Sequence, residues 1–244
     1  MHQTTTAFRR RVVVAWRVAW TLVTLTALEA AVCALSILPV VLAWQWLQNI
    51  VPPSAPIQLL VWSSAIVPSY VGFALCLLVI SPLATRLVGW QTPADAHLRI
   101  ADMDWALLRW ARYGASIHLV RIVAGSLFRG TPIWTTHLRL HGARIGKRVY
   151  VNSLSVSDYN LLDFGDDVVI GGGVHLSGHT VEGGIVKTAG VRLGRNVTIG
   201  LGSVIEIGVE IGPGAQVGAL SFVPKCAKLQ GGVTYVGIPA VPID

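Results

Sequence analysis

The sequence is short of charged residues and of cysteine. Only 13% of its 244 residues are charged and 53% are apolar, whereas a soluble domain usually carries about 25% charged residues. We therefore expect part of the chain to lie in lipid. The cysteines, Cys33, Cys76 and Cys226, form no CxxC pair, which indicates neither a disulfide framework nor a cysteine zinc site.

Several common enzyme motifs are also missing. The sequence contains no Walker loop, no Rossmann fingerprint and no GxSxG elbow. Its run of three glycines, residues 171–173, falls within a repeat and is not a phosphate-binding loop. The motifs therefore give no support to a nucleotide-hydrolysing enzyme, a dinucleotide-dependent oxidoreductase or a serine hydrolase.

The charges that are present are unevenly placed. Residues 1–150 carry 14 Lys/Arg and 4 Asp/Glu, a net +10, and residues 151–244 carry 5 and 8, a net −3, which together give the overall +7. A basic half beside apolar segments predicts attraction to anionic lipid headgroups. We expect no nucleic-acid binding, because the basic residues flank hydrophobic spans and do not form one soluble basic face with interleaved aromatic residues.

Two long stretches lack charge almost entirely. Residues 18–44 contain one charged residue, Glu29, and residues 51–85 contain none. A spanning helix needs roughly 20 apolar residues, so we predict transmembrane helices at 18–44 and 57–84. The flanks of these two spans are basic, with Arg9, Arg10, Arg11 and Arg17 before them and Arg86 and Arg99 after them. Positive flanks favour the cytoplasmic side, so we predict a hairpin in the cytoplasmic membrane with both termini inside.

Two features of this half have alternative interpretations. Glu29 is either a functional acid at membrane depth or a hydrogen-bonded structural residue, and the sequence favours the second because it offers no other intramembrane charge as a relay partner. Residues 95–128 have the pattern of a basic amphipathic helix. Such a helix either lies in the membrane interface or packs on the following domain.

Aliphatic residues recur at every sixth position in the C-terminal half. Consecutive hexads begin at Leu193, Ile199, Ile205, Ile211, Val217 and Val223, and the same spacing occurs earlier at Phe164, Ile170 and Leu176. This period predicts a parallel β-helix in which three short strands form one triangular coil. A single coil cannot bury its own apolar residues, so stability comes from the stacking of neighbouring coils.

The register breaks between Leu176 and Leu193, which are 17 residues apart. The intervening residues 178–187 are polar and rich in glycine. We predict a loop that is pushed out of the coil. Loops on a rigid scaffold often carry functional residues.

Several motifs match a known family. They are Arg129-Gly130-Thr131-Pro132, the run from Leu138 to Gly146, Asp158 ahead of Phe164-Gly165-Asp166, the run from His179 through Glu182 to Lys187, and Val236-Gly237-Ile238-Pro239-Ala240. With these motifs the chain resembles the left-handed β-helix acyltransferases. Over residues 125–240 it is similar to the C-terminal domains of ε-poly-lysine synthetase and related nonribosomal peptide synthetases.

The resemblance implies a left-handed coil, a homotrimer with active sites between subunits, and a histidine base from the extruded loop. Family members carry transmembrane helices around three tandem β-helix domains, an arrangement that a trimer of this chain would rebuild. The chain has no adenylation or carrier domain, and it has Asn160 where the family is expected to favour Asp. We therefore expect simple acyl transfer from acetyl-CoA or another coenzyme A thioester.

The predicted general base is His179, because a histidine has the near-neutral pKa that suits acyl transfer. Glu182 is predicted to orient it, and Asp158 is a second candidate for that role or for holding an acceptor amine. The candidate residues for binding the acceptor are His175, Asn160 and Lys187. The candidate residues for the phosphates of coenzyme A are Lys225, Lys228 and Arg195. For each of these residues the alternative is a solvated or packed structural side chain.

The sequence as a whole predicts a membrane-anchored acyltransferase. Its parts are a transmembrane hairpin at 1–90, linking helices at 91–139 and a left-handed parallel β-helix at 140–244. The predicted partners are the lipid membrane, further copies of the chain in a homotrimer and an acyl- or peptidyl-carrier protein, and no metal is expected. The alternatives are an amide-forming domain that uses a carrier-bound aminoacyl thioester, a non-enzymatic trimeric scaffold, and a zinc carbonic anhydrase with His141, His175 and His179 as ligands.

Overall fold

Two long helices begin the chain. The computed structural model describes residues 2–243, in which α1 covers His2–Ile50 and α2 covers Ala55–Leu87. Both helices extend beyond the spans predicted from apolar sequence, because helical backbone continues into the polar flanks. Both are long and apolar enough to cross a membrane. Many of their apolar side chains point outward, among them Leu59, Leu60 and Val67, and such surface is suited to contact with lipid.

The segment that follows the hairpin is not the single helix predicted over 95–128. It contains β1 (His97–Arg99), a 3-10 turn (Ile100–Asp102), α3 (Trp105–Val120), a π-helical turn (Arg121–Gly125), α4 (Ser126–Phe128) and α5 (Pro132–Leu140). α3 begins at Trp105 because the Asp104 carboxylate caps it, accepting a hydrogen bond from the Leu107 amide at 2.8 Å.

α3 packs on the hairpin that α1 and α2 form. Arg112 donates a hydrogen bond to the Thr21 hydroxyl at 2.8 Å, and Ser116 donates one to the Glu29 carboxylate. Both residues lie on the face of α3 that is buried, together with Ile117. One face of α3 is therefore covered by the hairpin, and the opposite face is left for the β-helix side of the molecule.

The hexads form a parallel β-helix. Its first sheet contains β2 (Arg144–Ile145), β4 (Leu162–Phe164), β9 (Val191–Leu193), β12 (Glu210–Ile211) and β15 (Lys228–Leu229). Its second sheet contains β3 (Tyr150–Val151), β5 (Val169–Ile170), β10 (Thr198–Ile199), β13 (Gln216–Val217), β16 (Thr234–Val236) and the antiparallel β17 (Val241–Ile243). Its third sheet contains β6 (His175–Leu176), β11 (Val204–Ile205) and β14 (Phe222–Val223).

The leading aliphatic residues of the hexads stack inside the coil. Ile199 pairs with Ile170 on one side and with Val217 on the other, and all three are buried. Val217 follows Ile199 by 18 positions, which is three hexads. The pairing thus places equivalent residues of successive coils on top of one another, as stacking requires. The predicted α-helical hairpin and parallel β-helix of hexapeptide repeats are confirmed, and the left-handed sense of the coil stays a prediction.

The predicted extruded loop is an ordered β-hairpin. Ile199 follows Ile170 by 29 positions, so this coil contains 11 residues more than the next one. The extra residues form β7 (His179–Glu182) and β8 (Ile185–Thr188), which pair antiparallel, and β1 pairs with β8 as a third strand. Gly183 and Gly184 form the turn at φ values of 53° and 74°, and a tight hairpin turn favours glycine because its φ values are positive. Buried and partly exposed residues alternate along β8 around Val186. This alternation is typical of a strand, which explains why strands form where a loop was predicted.

The buried core is continuous from the two long helices, α1 and α2, into the β-helix. Val32 of α1, Leu77 of α2, Trp134 of α5 and Phe164 of β4 belong to the same cluster of buried residues. α5 therefore lies between the two long helices, α1 and α2, and the first coil. The division of the chain at residues 90 and 139 stays a prediction.

Candidate active site

The extruded hairpin leaves the β-helix along one of its edges. The chain passes from the third sheet to the first sheet at residues 157–161, 177–190, 206–209 and 224–227. We call this line of turns the hairpin edge. Ala189 closes the base of the hairpin by donating a hydrogen bond from its amide to the Gly178 carbonyl at 2.9 Å. Because the coils stack, turns that are distant in sequence become neighbours along this edge.

His179, the first residue of the hairpin, contacts Asp158 of the preceding coil. Its Nδ1 atom lies 2.5 Å from Oδ2 of Asp158. The Asp158 side chain is only 4% exposed, whereas His179 keeps 29% of its side chain exposed. Because Nδ1 is engaged by the carboxylate, Nε2 is the ring nitrogen that is left to exchange a proton with a substrate.

Neighbouring hydroxyl groups hold this pair in place. Thr92 Oγ1 donates a hydrogen bond to Oδ1 of Asp158 at 2.6 Å, and Ser157 Oγ donates one to Oδ2 at 3.1 Å. Ser177 Oγ donates to the backbone carbonyl of His179 at 2.8 Å and accepts from its amide at 3.1 Å. Separate hydrogen bonds thus fix the Asp158 carboxylate and the backbone of His179, which limits the movement of the two residues relative to each other.

Gly178 is required where the hairpin leaves the coil. A Cβ atom at this position would lie 2.9 Å from the Cβ atom of Asp158 and 3.0 Å from a methyl group of Leu161. Atoms of that kind do not approach so closely, so a side chain at residue 178 would push against Asp158. Glycine therefore allows His179 to emerge directly beside the buried carboxylate.

The two groups shift the pKa of each other. Partial burial lowers the pKa of His179, but the hydrogen bond and the charge of Asp158, together with the charge of Glu206, outweigh burial and raise that pKa above its usual 6.5. Burial raises the pKa of Asp158, but the hydrogen bond and charge of His179 and the Thr92 and Ser157 hydroxyls hold it below its usual 3.8. Asp158 is therefore ionised at neutral pH and favours the protonated form of His179.

A cavity of about 450 Å³ opens beside His179, between the hairpin edge and α3. The β-helix side contributes Ser157, Asp158 and His179. The face of α3 and of the following turn contributes Trp110, Ala111, Gly114, Ala115, Ile117, His118 and Arg121. The Trp110 ring packs edge-to-face against the His179 ring, with centroids 5.0 Å apart. The exposed side of His179 thus faces a space that is large enough for a small substrate.

Glu182 lies at the other end of the hairpin and does not contact His179. Its carboxylate accepts from Lys187 Nζ at 3.0 Å and from Lys225 Nζ. Residues alternate sides along a strand, and Glu182 is three positions from His179 on β7. The predicted orienting contact from Glu182 is therefore formed by Asp158 instead, and Lys187 is engaged with Glu182.

The other candidates for acceptor binding lie outside the cavity. Both ends of the Asn160 amide bind the backbone of Thr92: Nδ2 donates to the carbonyl at 2.8 Å and Oδ1 accepts from the amide at 3.2 Å. Asn160 thereby holds the residue whose hydroxyl binds Asp158. His175 is exposed on the third sheet, where it pairs with Val204. The structure does not bring either residue together with His179.

The basic residues proposed for coenzyme A lie on different parts of the β-helix. Lys225 is on the hairpin edge, bound to Glu182. Lys228 is on β15, with Nζ 3.5 Å from Glu210. Arg195 is exposed in the turn from β9 to β10, which belongs to the edge between the first and second sheets. Lys225 is therefore the member of this set that shares an edge with His179.

A buried aromatic cluster lies behind Asp158. The rings of His137 on α5 and His141, which directly follows α5, are 4.7 Å apart, and the His141 ring is 5.5 Å from that of Tyr159. Nδ1 of His137 is 2.8 Å from the Leu78 carbonyl of α2. Burial lowers the pKa of His137 to about 4 and also lowers the pKa of His141. Both histidines are therefore neutral at pH 7.

The three histidines of the zinc alternative are not assembled. His141 is buried at the C-terminal end of α5, His175 is exposed on the third sheet and His179 is at the hairpin edge. Within the described range, residues 2–243, no group of three or more His, Cys, Asp or Glu is placed to hold a metal ion.

Several residues of the site were not identified from the sequence. Trp110, His118 and Arg121 carry no motif, and they reach the cavity because α3 lies across the hairpin edge. Thr92 comes from the connection between α2 and β1. Glu206 could have been found from the repeat, since it occupies the glycine position of its hexad and lies on the same edge as His179.

Comparisons with known proteins agree with the family resemblance. No family model matches the chain. The chain is 28% identical over 171 residues to Delta-poly-L-ornithine synthetase from Acinetobacter baumannii (strain AB307-0294), a match that covers 68% of this chain. It spans only 12% of the length of that relative. This sequence match confirms the resemblance to synthetases of poly-amino acids.

The similar solved structures include acetyltransferases. A galactoside acetyltransferase in complex with coenzyme A matches 59% of this chain and 84% of its own, with 22% identity and a TM-score of 0.44. Serine acetyltransferase from Neisseria gonorrhoeae matches 72% of this chain and 54% of its own, with 22% identity and a TM-score of 0.38. In sequence, the chain is thus similar to one segment of a poly-amino-acid synthetase.

Proposed function

We propose that this chain is a membrane-bound acyltransferase that moves an acyl group from a thioester to a hydroxyl or amine. The observation that carries the proposal is the 2.5 Å contact between Nδ1 of His179 and Oδ2 of Asp158 at the wall of a cavity. A buried carboxylate that fixes one ring nitrogen leaves the other as a general base. The same arrangement stabilises the imidazolium that forms after proton transfer.

In the proposed reaction, Nε2 of His179 removes a proton from the acceptor as the acceptor attacks the thioester carbonyl. A carbon–oxygen or carbon–nitrogen bond forms, and the carbon–sulfur bond then breaks. The proton held on Nε2 passes to the departing thiolate, which restores neutral His179. Backbone amides at the turns of the coil are suitable donors to the oxyanion of the tetrahedral intermediate.

The proposed donor is acetyl-CoA or another coenzyme A thioester. Coenzyme A is the ligand of the galactoside acetyltransferase to which the chain is similar. Lys225 is a candidate for its phosphates because it lies on the same edge as His179, and Lys228 is the next basic residue along the chain. Arg195 lies on another edge, so it would reach the donor only if the donor spans two edges or two subunits. Lysine binds phosphate as a point charge.

The proposed setting is the cytoplasmic membrane. The two long apolar helices would span it, with both termini and the β-helix in the cytoplasm as the basic flanks favour. We propose a homotrimer, as the family resemblance implies. The cavity beside His179 is bounded within one chain by α3, so in this proposal the neighbouring subunit serves to complete the site or to bind the donor.

A second candidate function is amide formation from a carrier-bound aminoacyl group. The observation that favours it is the sequence match to Delta-poly-L-ornithine synthetase. The chemistry at His179 would be the same, because an amine attacks a thioester in both cases. The two proposals differ in the donor, since a carrier-dependent enzyme does not use free acetyl-CoA.

The test is binding and turnover with the detergent-purified chain. We expect saturable calorimetric binding of coenzyme A and acetyl-CoA at about one per subunit, weakened by the charge reversals Lys225→Glu and Lys228→Glu. The matched control is Lys147→Glu, another exposed lysine, which lies in a turn away from the hairpin edge. Acetyl-CoA consumption with an amine acceptor should depend on His179.

The opposite result would assign a different donor. If neither ligand binds up to about millimolar concentration, which corresponds to a binding free energy of about −4 kcal/mol, coenzyme A is not the donor. Turnover with an aminoacyl-loaded carrier protein would then establish the second candidate. If neither donor is used and His179→Ala changes no property of the membrane assembly, the chain is a scaffold.

A further inference from the structure

The wall of the cavity opposite His179 carries an arginine at a break in the helix. Arg121 follows α3 directly and begins the π-helical turn, which continues to Gly125. A π-helical turn widens the backbone spiral and is frequently found at functional sites. Together with His118, one turn earlier, Arg121 forms what we call the basic end of the cavity.

The guanidinium of Arg121 is held by uncharged partners. Nη1 donates to the Leu154 carbonyl at 3.0 Å and to the Val156 carbonyl at 3.4 Å, and Nη2 lies 3.1 Å from Nδ1 of His118. It forms no ion pair with any carboxylate among residues 2–243. The carboxylate on the same cavity, Asp158, is bound to His179. A partly buried positive charge without a counterion favours an external anion.

The contact between Arg121 and His118 also fixes which ring nitrogen of His118 carries the proton. Arginine has no acceptor atom, so Nη2 must donate and Nδ1 of His118 must accept. The neutral ring then carries its proton on Nε2, which becomes a second donor at the same end of the cavity. The basic end thus offers a guanidinium and an imidazole N–H to one ligand group.

The floor between the two ends is made of small residues. Ala111, Gly114 and Ala115 lie on the cavity face of α3, and a Cβ atom added at Gly114 would have no neighbour within 4 Å. A ligand that lies along α3 from Arg121 to His179 therefore contacts mainly these small residues, together with the larger side chain of Ile117. Trp110 closes the end next to His179.

We propose that the acceptor carries an oxyanion, a carboxylate or a phosphate, which binds Arg121 and His118 while its hydroxyl or amine faces Nε2 of His179. This inference rests on the proposed acyl transfer and names the substrate class of the same site. It distinguishes amino-acid-like or phosphorylated amines and alcohols from simple ones. The anion would also orient the nucleophile, because it fixes the far end of the acceptor.

The experiment measures binding of two matched pairs of probes to the full chain in detergent. Ornithine and 1,4-diaminobutane differ by a carboxylate, and phosphoethanolamine and ethanolamine differ by a phosphate. We expect the anionic member of one pair to bind at least about tenfold more tightly, which corresponds to about 1.4 kcal/mol. The pair that is discriminated identifies the carboxylate or the phosphate as the group bound.

The variants assign this preference to the basic end. Arg121→Gln should remove the preference, and Arg121→Lys should keep part of it because the charge remains. The control Arg109→Gln removes an exposed arginine of the same helix that does not line the cavity, and it should keep the full preference. Gly114→Leu should weaken binding of all four probes by filling the floor, and it should fold because a Cβ atom at residue 114 meets no neighbour within 4 Å.

Equal binding within both pairs, or a preference that survives Arg121→Gln, would overturn the inference. Binding is measured without a thioester, so it does not depend on catalysis. An anion preference that requires Arg121, without any acyl transfer, would support the subsite and reject the proposed reaction. If Arg121→Gln fails to fold because the Leu154 contact is lost, Arg121→Lys decides: a folded variant with a reduced preference supports the subsite, and a folded variant that keeps the full preference rejects it.

Discussion

The extruded hairpin carries one charge pair at its base and another group of charges at its tip, and the two differ in burial. At the base, His179 contacts a carboxylate that is 4% exposed. At the tip, the Glu182 carboxylate is 43% exposed and meets two lysines. Charges in the interior interact strongly and shift pKa values, whereas exposed pairs are screened by water and are worth roughly 0–1 kcal/mol.

This comparison shows that distance along the sequence is a poor guide to the partner of His179. Glu182 is three residues away and on the same strand, but the alternation of the strand and its exposed position separate it from the imidazole. Asp158 is 21 residues away, yet the stacking of coils places it in direct contact. The base of the hairpin is thus where we expect substitutions to have large effects.

The largest effect is expected for His179→Ala. Loss of a general base should reduce the rate of acyl transfer by roughly 10²–10⁴-fold, measured as thiol release from the thioester. The matched change at the tip, Glu182→Ala, should leave the rate close to that of the unaltered chain. A larger loss of rate for Glu182→Ala than for His179→Ala would place the catalytic group at the tip of the hairpin and not at its base.

The next effect is on the stability of the protein in acid. It involves the buried histidines His137 and His141, which belong to the aromatic cluster behind Asp158. Burial lowers the pKa of His137 to about 4, so the unfolded chain binds a proton more readily than the folded one. The contribution of His137 to the free energy of unfolding is therefore fully present above pH 6.5, and it is lost as the pH decreases from there to about 4. The loss from His137 should be on the order of 3 kcal/mol, and His141 acts in the same direction.

Unfolding midpoints in detergent at several pH values measure this loss. His137→Gln keeps a donor for the Leu78 carbonyl and should make the chain less sensitive to acid. The control His175→Gln changes an exposed histidine and should retain the full sensitivity. Identical pH profiles for both variants would show that His137 does not titrate as its burial predicts.

A third effect is expected for Asp158→Asn. The hydrogen bond and the charge of Asp158 raise the pKa of His179, and burial opposes them. General-base activity should therefore rise with pH through a pKa above 6.5 in the unaltered chain, and the midpoint of that rise should move to lower pH in the variant. The maximal rate should fall by roughly 10²-fold, because the imidazole loses its orienting group. An unchanged midpoint would show that the contact with Asp158 does not control the pKa on which the rate depends.

The smallest effect is expected at the tip. Glu182→Gln removes the pairs with Lys187 and Lys225 and should lower the free energy of unfolding by no more than about 1 kcal/mol. Raising the salt concentration should reduce the difference, since exposed pairs are screened. A salt-independent loss of several kcal/mol would mean that the tip is buried in the assembled protein.

Much of the fold could be predicted from the sequence because it follows from periodic patterns. The hexads from Leu193 to Val223 repeat without a gap, and each leading residue has the same environment in the structure. The helices of the hairpin follow from apolar length. The break of the amphipathic helix before α3 was not predicted, because it depends on the Asp104 cap and on pairing of β1 with the distant β8.

The candidate site was only partly predictable for the same reason. The break in register indicated an extruded loop, which the structure shows to be a β-hairpin, and it drew attention to His179, whose catalytic role stays a prediction. Asp158 was a second candidate, and the structure makes it the contact of His179. The opposite wall, with Trp110 and Arg121, had no signal in the sequence because it depends on how α3 is placed by the membrane hairpin.

The sequence by itself determined the repeat, the two long apolar helices and the position of the extruded segment, because each depends on residues close together in the chain and on the pattern of apolar side chains. The tertiary structure alone decided which acid meets His179 and which helix faces it. Those contacts join residues from different coils and helices, and only the stacking of coils and the packing of α3 bring them within hydrogen-bonding distance or to the same cavity.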